Sequence, residues 1–572
     1  MFGCGCLNWN RVFEWCQYHQ VEAEEPPPQP FSLPSPLPQW PQGAGFGTGR
    51  IFLGELEVSM ITKLEKVWSC KRARGRDIGI SFYRPAEIPK GFFSLGHYCQ
   101  PNDRPLRGFL LLARELVTSK SQSDSDRSNV FDGPALMRPV GYSLIWSSDS
   151  SGHGYIWLPT PPTGYKAMGF VVSSNLDEPS VEEVRCVRAD LTESCKIDEM
   201  IFSSGSGNGA IEVWTMRPCR RGMYATGVSV GTFFCGKDMD SDAYENLACL
   251  KNGNPALSGM PSLDQVHALI KHYGPTVYFH PDEIYLPSSV SWFFKNGAVL
   301  CRDKDSKGQP IDCAGSCLPG GGLNDGECWI DLPSGEEKRD NIKRGNLESA
   351  ELYVHVKSAL GGTFTDIAMW IFCPFNGPST LKVGLMSIAM NKIGQHIGDW
   401  EHFTLRINNF TGELWGIYFS EHSGGGWVDA SELEFIQHNK AIVYSSRNGH
   451  ASFPHAGTYL QGPGNLGIGL RNDTDKSKYS IDSSSKYQIV AAECLGEGVI
   501  QEPLWLQYMR EWGPTIVYDS TEEIQKIISV LPIYFRMTVE NIIFDLFPNE
   551  LYGEEGPTGP KEKDNWYGDE RC

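Results

Sequence analysis

Apolar positions along this chain fall in short alternating or continuous runs, set between Gly, Asn, Asp and Pro turns. That pattern belongs to β-strands rather than to the 3.6-residue period of amphipathic helices. In the second half the runs Thr276–His280, Ala368–Phe372, Phe403–Ile407, Leu414–Ser420, Ala441–Ser445 and Tyr487–Ala491 are expected as strands of a β-sandwich with long loops. One helix is expected after Ser262, which serves as N-cap, with Gln265 completing a capping box and Gly274 ending the run. The stretch 524–547 reads as more helical, and the tail 552–572 is polar.

From about 50 to 240 a strand–turn–strand unit recurs. Phe82-Tyr83-Arg84-Pro85 leads to Gly91 and Gly96, Ile156-Trp157-Leu158-Pro159 to Gly164 and Gly169, and Val213-Trp214 with Pro218 to Gly222 and Gly227. Three copies predict a pseudo-threefold β-repeat module of prism or trefoil type. The fold class expected is therefore mainly β, with four parts: a Cys-rich head and Pro/Gly-rich linker or adhered arm (1–49), the repeat module (50–240), a β-sandwich (262–550) and a polar tail (551–572).

Composition narrows the choice of function. With 50 basic and 69 acidic residues the net charge is -19, which disfavours nucleic-acid binding; the basic stretch 71–76 reads as a solvated turn. No apolar run is long enough to span a bilayer. The start carries Arg11 and Glu14 and lacks an apolar signal core, so the 17 cysteines are expected to be reduced, in a protein that is cytoplasmic or peripheral to membranes. Cys4 and Cys6 are candidates for S-acylation. Cys301, Cys313, Cys317 and Cys328 are too widely spaced for a zinc site and read as an unstructured insertion.

The candidate chemistry concentrates in His396-Ile397-Gly398-Asp399-Trp400-Glu401-His402. On a regular strand Asp399 and Glu401 share a face with Phe403, Leu405 and Ile407, so two carboxylates point toward an apolar interior. Such groups need a cation or hydrogen-bond donors. With His422 and His450 they form a candidate set for one divalent cation, Ca²⁺, Mg²⁺, Mn²⁺ or Zn²⁺. No Gly-x-Ser-x-Gly elbow or Walker-type phosphate loop occurs, which points away from an enzyme. Two alternatives stay open: a metal-dependent hydrolase using Glu401 or His402 as general base, and a cluster that only stitches loops.

Tyr273–Glu283, Leu286–Val290, His396–His402, Tyr418–His422 and Tyr444–Ala451 resemble the plant branch of the vacuolar protein sorting-associated protein 62 family. The resemblance implies a role in vacuolar traffic, with a membrane lipid or trafficking protein as partner, and no established activity. More distantly, His-x-x-Asp-Trp-Glu followed by Ser-x-His-x-Gly is similar to the signature of necrosis-inducing, cytolysin-like β-sandwich proteins. That likeness implies a divalent cation at His396, Asp399 and Glu401, used in docking to membrane glycolipid. This chain has Gly398 where that family carries a second His.

Overall fold

The computed structural model describes residues 30–570 except 71–78, 117–132, 149–152, 205–210, 237–243, 255, 303–307, 391–392, 423, 462–467, most of 518–552, and 555. The Cys4/Cys6 head, the basic stretch 71–76 and the helical reading of 524–547 lie outside or almost wholly outside the described residues. The protein is mainly β, built from many small antiparallel sheets.

In the first half, three-stranded sheets join Leu64–Cys70, Ile80–Pro85 and Tyr98–Pro101; Gly141–Ser147, Tyr155–Thr160 and Val171–Ser173; and Cys195–Ser203, Glu212–Pro218 and Phe233–Cys235. Their inward side chains, among them Phe82, Ile156, Val172, Val213 and Phe233, form one core. Other sheets pair Leu110–Glu115 with Leu56–Ile61 and Phe93–Ser94, Cys186–Arg188 with Leu136–Met137 and Tyr165–Lys166, and Cys249–Lys251 with Thr192–Glu193 and Gly227–Val228. These share a second core containing Val58, Leu111, Val187, Val228 and Leu250. The spacing of glycines puts Gly227 third in the series after Gly96 and Gly169. In the structure, a Cβ on Gly96 or on Gly169 would lie 2.7 or 2.4 Å from the Thr232 side chain, whereas one on Gly227 would meet Pro218.

The second half opens on the helix α1 (Leu263–Tyr273), with the capping box between Ser262 and Gln265 formed as expected. Its strands are β1 (Thr276–Phe279), β2 (Leu352–Ala359), β3 (Phe364–Asn376), β4 (His396–Asn408), β5 (Leu414–Glu421), β6 (Gly424–Asp429), β7 (Lys440–Ser445), β8 (Ser480–Asp482) and β9 (Tyr487–Ala491). One sheet runs β6-β5-β4-β3-β2-β9; a second holds β7, β1 and β8, with β7 and β1 parallel. Apolar residues of both sheets and of α1 share one core, including Leu269, Val277, Met369, Phe403, Leu405 and Val443. The Pro-rich arm adheres to it. Phe31, Leu33, Trp40 and Phe46 pack there, and the Gln265 side-chain amide donates to the Pro41 carbonyl at 2.8 Å.

The opposite face of the six-stranded sheet is covered by a tryptophan-rich core with Trp370, Trp400, Trp505, Trp512 and Trp566. The 299–331 segment is part of this core, which corrects its reading as an unstructured insertion. Val299–Cys301, Gln309–Pro310 and Trp329–Asp331 form a small sheet, and Leu300, Ile311, Leu318 and Ile330 are buried. The cysteines masked this pattern: Cys328 sits in the core as an apolar residue, while Cys313 and Cys317 are exposed.

Candidate functional site

Strand β4 pairs with β3 without a register shift, setting Asp399 opposite Cys373, Glu401 opposite Ile371 and Phe403 opposite Met369. Cys373, Ile371, Met369 and Phe403 all belong to the core between the sheets, so the period-two reading of β4 holds through the carboxylates. The backbone bends at Gly398, whose φ is +67°, and a Cβ there would stand 2.5 Å from the Trp512 carbonyl oxygen. Gly398→Ala is expected to destabilise the protein by about 2 kcal/mol, through the left-handed backbone and the clash together. Urea denaturation followed by tryptophan fluorescence measures this loss.

His450, in the loop after β7, is the partner of Asp399. Its Nδ1 lies 2.8 Å from Asp399 Oδ2 and its Nε2 2.8 Å from the Tyr285 carbonyl oxygen. A carbonyl only accepts, so Nε2 carries a proton; the charged carboxylate takes one from Nδ1 as well. The ring is then an imidazolium. Burial alone would lower its pKa, but the Asp399 hydrogen bond and the nearby Glu283 carboxylate raise it well above the ordinary histidine value. Asp399 shows the reverse: burial works against its charge, and the bond to His450 holds it below the usual carboxylate range. Glu283 braces the loops, accepting from the Ile284 and Tyr285 amides at 2.9 and 2.8 Å and from the Asn448 amide at 2.6 Å.

Glu401 has a poorer environment. Its Oε2 accepts one hydrogen bond, from the Ser420 hydroxyl at 2.6 Å. Burial, with the neighbouring Asp399 carboxylate, pushes its carboxyl up to about 8. His396 donates from Nδ1 to the Gly398 carbonyl at 3.0 Å, and burial lowers its pKa, so the neutral ring keeps a lone pair on Nε2. His422 bonds Asn472 Oδ1 at 3.1 Å through Nε2 and sits over Gly449, whose Cβ would be 3.1 Å from its Cε1. Trp400, Glu401, Ser420, His422 and Lys563 line a cleft of about 560 Å³.

Ligand atoms of Cys373, Asp399 and His450 lie within 4.8 Å of one another. As drawn, this group is a closed latch. Both His450 nitrogens are bonded, and burial pushes the Cys373 thiol up to about 11, where it stays protonated. The donors open to a cation are instead the second Asp399 oxygen, Glu401, His396 Nε2 and the remaining nitrogen of His422. Oxygen and imidazole donors of this kind suit a divalent ion.

Of the residues singled out from the sequence, the structure joins His450 to Asp399 and sets Glu401 and His422 along one cleft. His402 turns to the other face of β4, stacked on Trp370 at 4.4 Å and bonded to Glu570 at 3.0 Å. Sequence reading missed Cys373, whose place follows only from strand pairing, and Lys563 and Glu570, which lie in the polar tail. A buried tryptophan in that tail, Trp566, was the available signal.

A family model described as vacuolar protein sorting-associated protein 62 matches residues 27–570. The Saccharomyces cerevisiae protein of that name is 25% identical over 189 residues, which are 30% of this chain and 38% of the yeast protein. Among solved structures, GNIP1Aa from Chromobacterium piscinae has a TM-score of 0.27 at 18% identity, covering 37% of this chain and 40% of that one. The non-toxic HaNLP3 protein has 0.21 at 13%, covering 41% and 80%. Necrosis and ethylene inducing protein 2, from the agent of cocoa's witches' broom disease, has 0.18 at 13%, covering 40% and 74%. The match across nearly the whole chain places it in the vacuolar protein sorting-associated protein 62 family.

Proposed function

We propose that this chain is a non-enzymatic recognition protein of vacuolar sorting, docking to a membrane lipid or trafficking protein through one divalent cation. His396, Asp399, Glu401 and His422 would hold the ion, and His450 would fix Asp399. The observation that supports this is the juxtaposition of two buried carboxylates with only one hydroxyl donor for Glu401 and an imidazole lone pair beside them. The site opens on a cleft, so a ligand can reach the ion. Among the described residues no helix is long and apolar enough to cross a membrane, which fits docking at a surface.

The first half would be the pseudo-threefold module. In each third of 56–251 the second, third and fifth strands form one sheet, with the third central; the first, fourth and sixth form another, with the sixth central. Gly96, Gly169 and Thr232 meeting at one point support an axis there.

Metal analysis of purified protein by mass spectrometry tests the cation. One bound ion per chain, lost in Asp399→Ala/Glu401→Ala together with cation-dependent sedimentation on liposomes, is expected. Absence of any ion after incubation with Ca²⁺, Mg²⁺, Mn²⁺ and Zn²⁺ would overturn the reading. A second reading, a metal-dependent hydrolase, is favoured by Glu401, Ser420 and His422 lining the same cleft. It requires turnover of p-nitrophenyl esters or phosphates that is lost in Glu401→Gln.

A further inference from the structure

The outer face of the six-stranded sheet carries a set of hydrogen-bond donors, two of them the cations Lys357 and Arg406, that the cleft chemistry does not use. Lys357 on β2 and His402, Thr404 and Arg406 at alternate positions of β4 project from one face. Lys357 and His402 are buried, in a chain whose net charge is -19. Apolar side chains would cover this face at lower cost, because buried cations need anions brought to them. The anions come from the last described residues.

Glu570 Oε1 accepts from Thr404 Oγ1 at 2.7 Å and lies 3.5 Å from Lys357 Nζ, while its Oε2 is 3.0 Å from His402 Nε2. Asp569 Oδ1 accepts from Arg406 at 2.9 Å; Arg406 also makes a two-pronged bond to Asp366 and stacks over Trp427 at 4.0 Å. Lys357 donates further to the Asn565 carbonyl at 2.7 Å. Upstream, Trp566 fills an aromatic slot against His355 at 4.0 Å and Trp370 at 6.2 Å.

The contact has the anatomy of a bound peptide: an aromatic anchor, backbone carbonyls caught by a lysine, and a pair of acids read by charged donors. It is also incompletely packed. The cleft of about 560 Å³ borders Asn565 and Glu570 on one side. A second cavity of about 540 Å³, between the two halves of the chain, borders Gly568, Asp569 and Glu570 on the other. Open space on both sides of residues 568–570 leaves them joined to the sheet by polar contacts alone, with Trp566 as the apolar anchor.

We propose that Lys357, His402, Thr404 and Arg406, with the Trp370/His355 slot, form a binding site for acidic aromatic peptides, and that residues 566–570 are its built-in ligand. Release of this segment vacates the site for another peptide of the same chemistry and widens the cleft at Glu401, which the tail borders.

The test uses a fluorescein-labelled peptide of residues 560–570 and the full chain. Wild type is expected to bind none of it, because its own tail is held at an effective concentration of about millimolar. Two full-length variants weaken that tail: Asp569→Asn/Glu570→Gln, and the same with Trp566→Ala. Both are expected to bind the peptide at roughly micromolar concentration, with at least about a tenfold loss when Lys357→Met is added or when the peptide ends in Gln. No binding by a variant that still unfolds cooperatively would overturn the proposal, as would equal binding of the Gln-ended peptide. Hydrogen exchange on wild type gives a check free of folding defects. The Trp566 and Gly568 amides, bonded to the Lys563 and Asp564 carbonyls, should open at lower free energy than the β3 and β4 amides. Exchange of both sets only through one global opening would also overturn it.

Discussion

Asp399→Ala is expected to lose about 3–5 kcal/mol of stability, the largest effect of any single change at the cleft. The physical reason is the imidazolium it leaves behind. His450 is fully buried, its Nε2 already spent on the Tyr285 carbonyl, and without Asp399 its charge has no counter-ion at hydrogen-bond distance. Breaking one side of such a pair costs more than the pair ever contributed, because an unpaired charge stays in the interior. The protein can escape part of the cost by deprotonating His450 at Nδ1, which leaves the Nε2 bond to the Tyr285 carbonyl in place. Asp399→Asn, which can still accept from Nδ1, should lose less than half as much. Urea denaturation of wild type and both variants at neutral pH measures the order; equal losses for Ala and Asn would show that the lost counter-charge, and not the hydrogen bond, sets the cost.

Glu401→Gln is expected to act in the opposite direction. In chelator-treated protein it should raise stability at pH 8 by up to about 4 kcal/mol, from a pKa of about 8 in the fold against 4.5 for the free group. A carboxyl whose folded value is raised holds its proton in the native state and releases it in the unfolded one. Its contribution is complete below the unfolded value and is lost as pH rises through the folded one. Wild-type stability should therefore carry a decline from about pH 5 to pH 8 that the variant lacks. Asp399, Lys563 and His450 are the charged groups that bear on Glu401, and all three remain in the variant, so the difference between the two profiles isolates this one carboxyl. Parallel profiles across that range would show that Glu401 is charged and satisfied as it stands.

Glu401 and Asp399 were legible in the sequence because a strand's two-residue period is local, and β4 keeps that period from Asp399 to Ile407; it breaks only at Gly398, before which Ile397 turns to the tryptophan-rich core. The helix α1 was equally plain, since Ser262, Gln265 and Gly274 act within one turn of its ends. Strand β3 was less so. Thirteen buried residues run from Phe364 to Asn376, yet only Ala368–Phe372 stands out, because Asp366 and Cys373 interrupt the apolar run. Asp366 is tolerable there only through Arg406, forty residues away, and Cys373 is defined by its cross-strand neighbours Asp399 and His450. The tail was misjudged for the same reason. Its acids look solvated until Lys357 and His402 are brought beneath them, and no local pattern announces that meeting.

The pairing of Glu570 with Lys357 and His402 also sets an order of events during synthesis. Strands β2 to β5 emerge well before the C-terminal residues, and they can zip together through neighbouring hairpins as they appear. Their outer face must then wait with Lys357 uncovered until residues 565–570 have been made. The nascent sheet is therefore kept hydrated on that side, which slows premature closure of the tryptophan core over it. Closing of the sheet's outer face therefore waits on residues 565–570, and a chain cut before Glu570 would stop short of it.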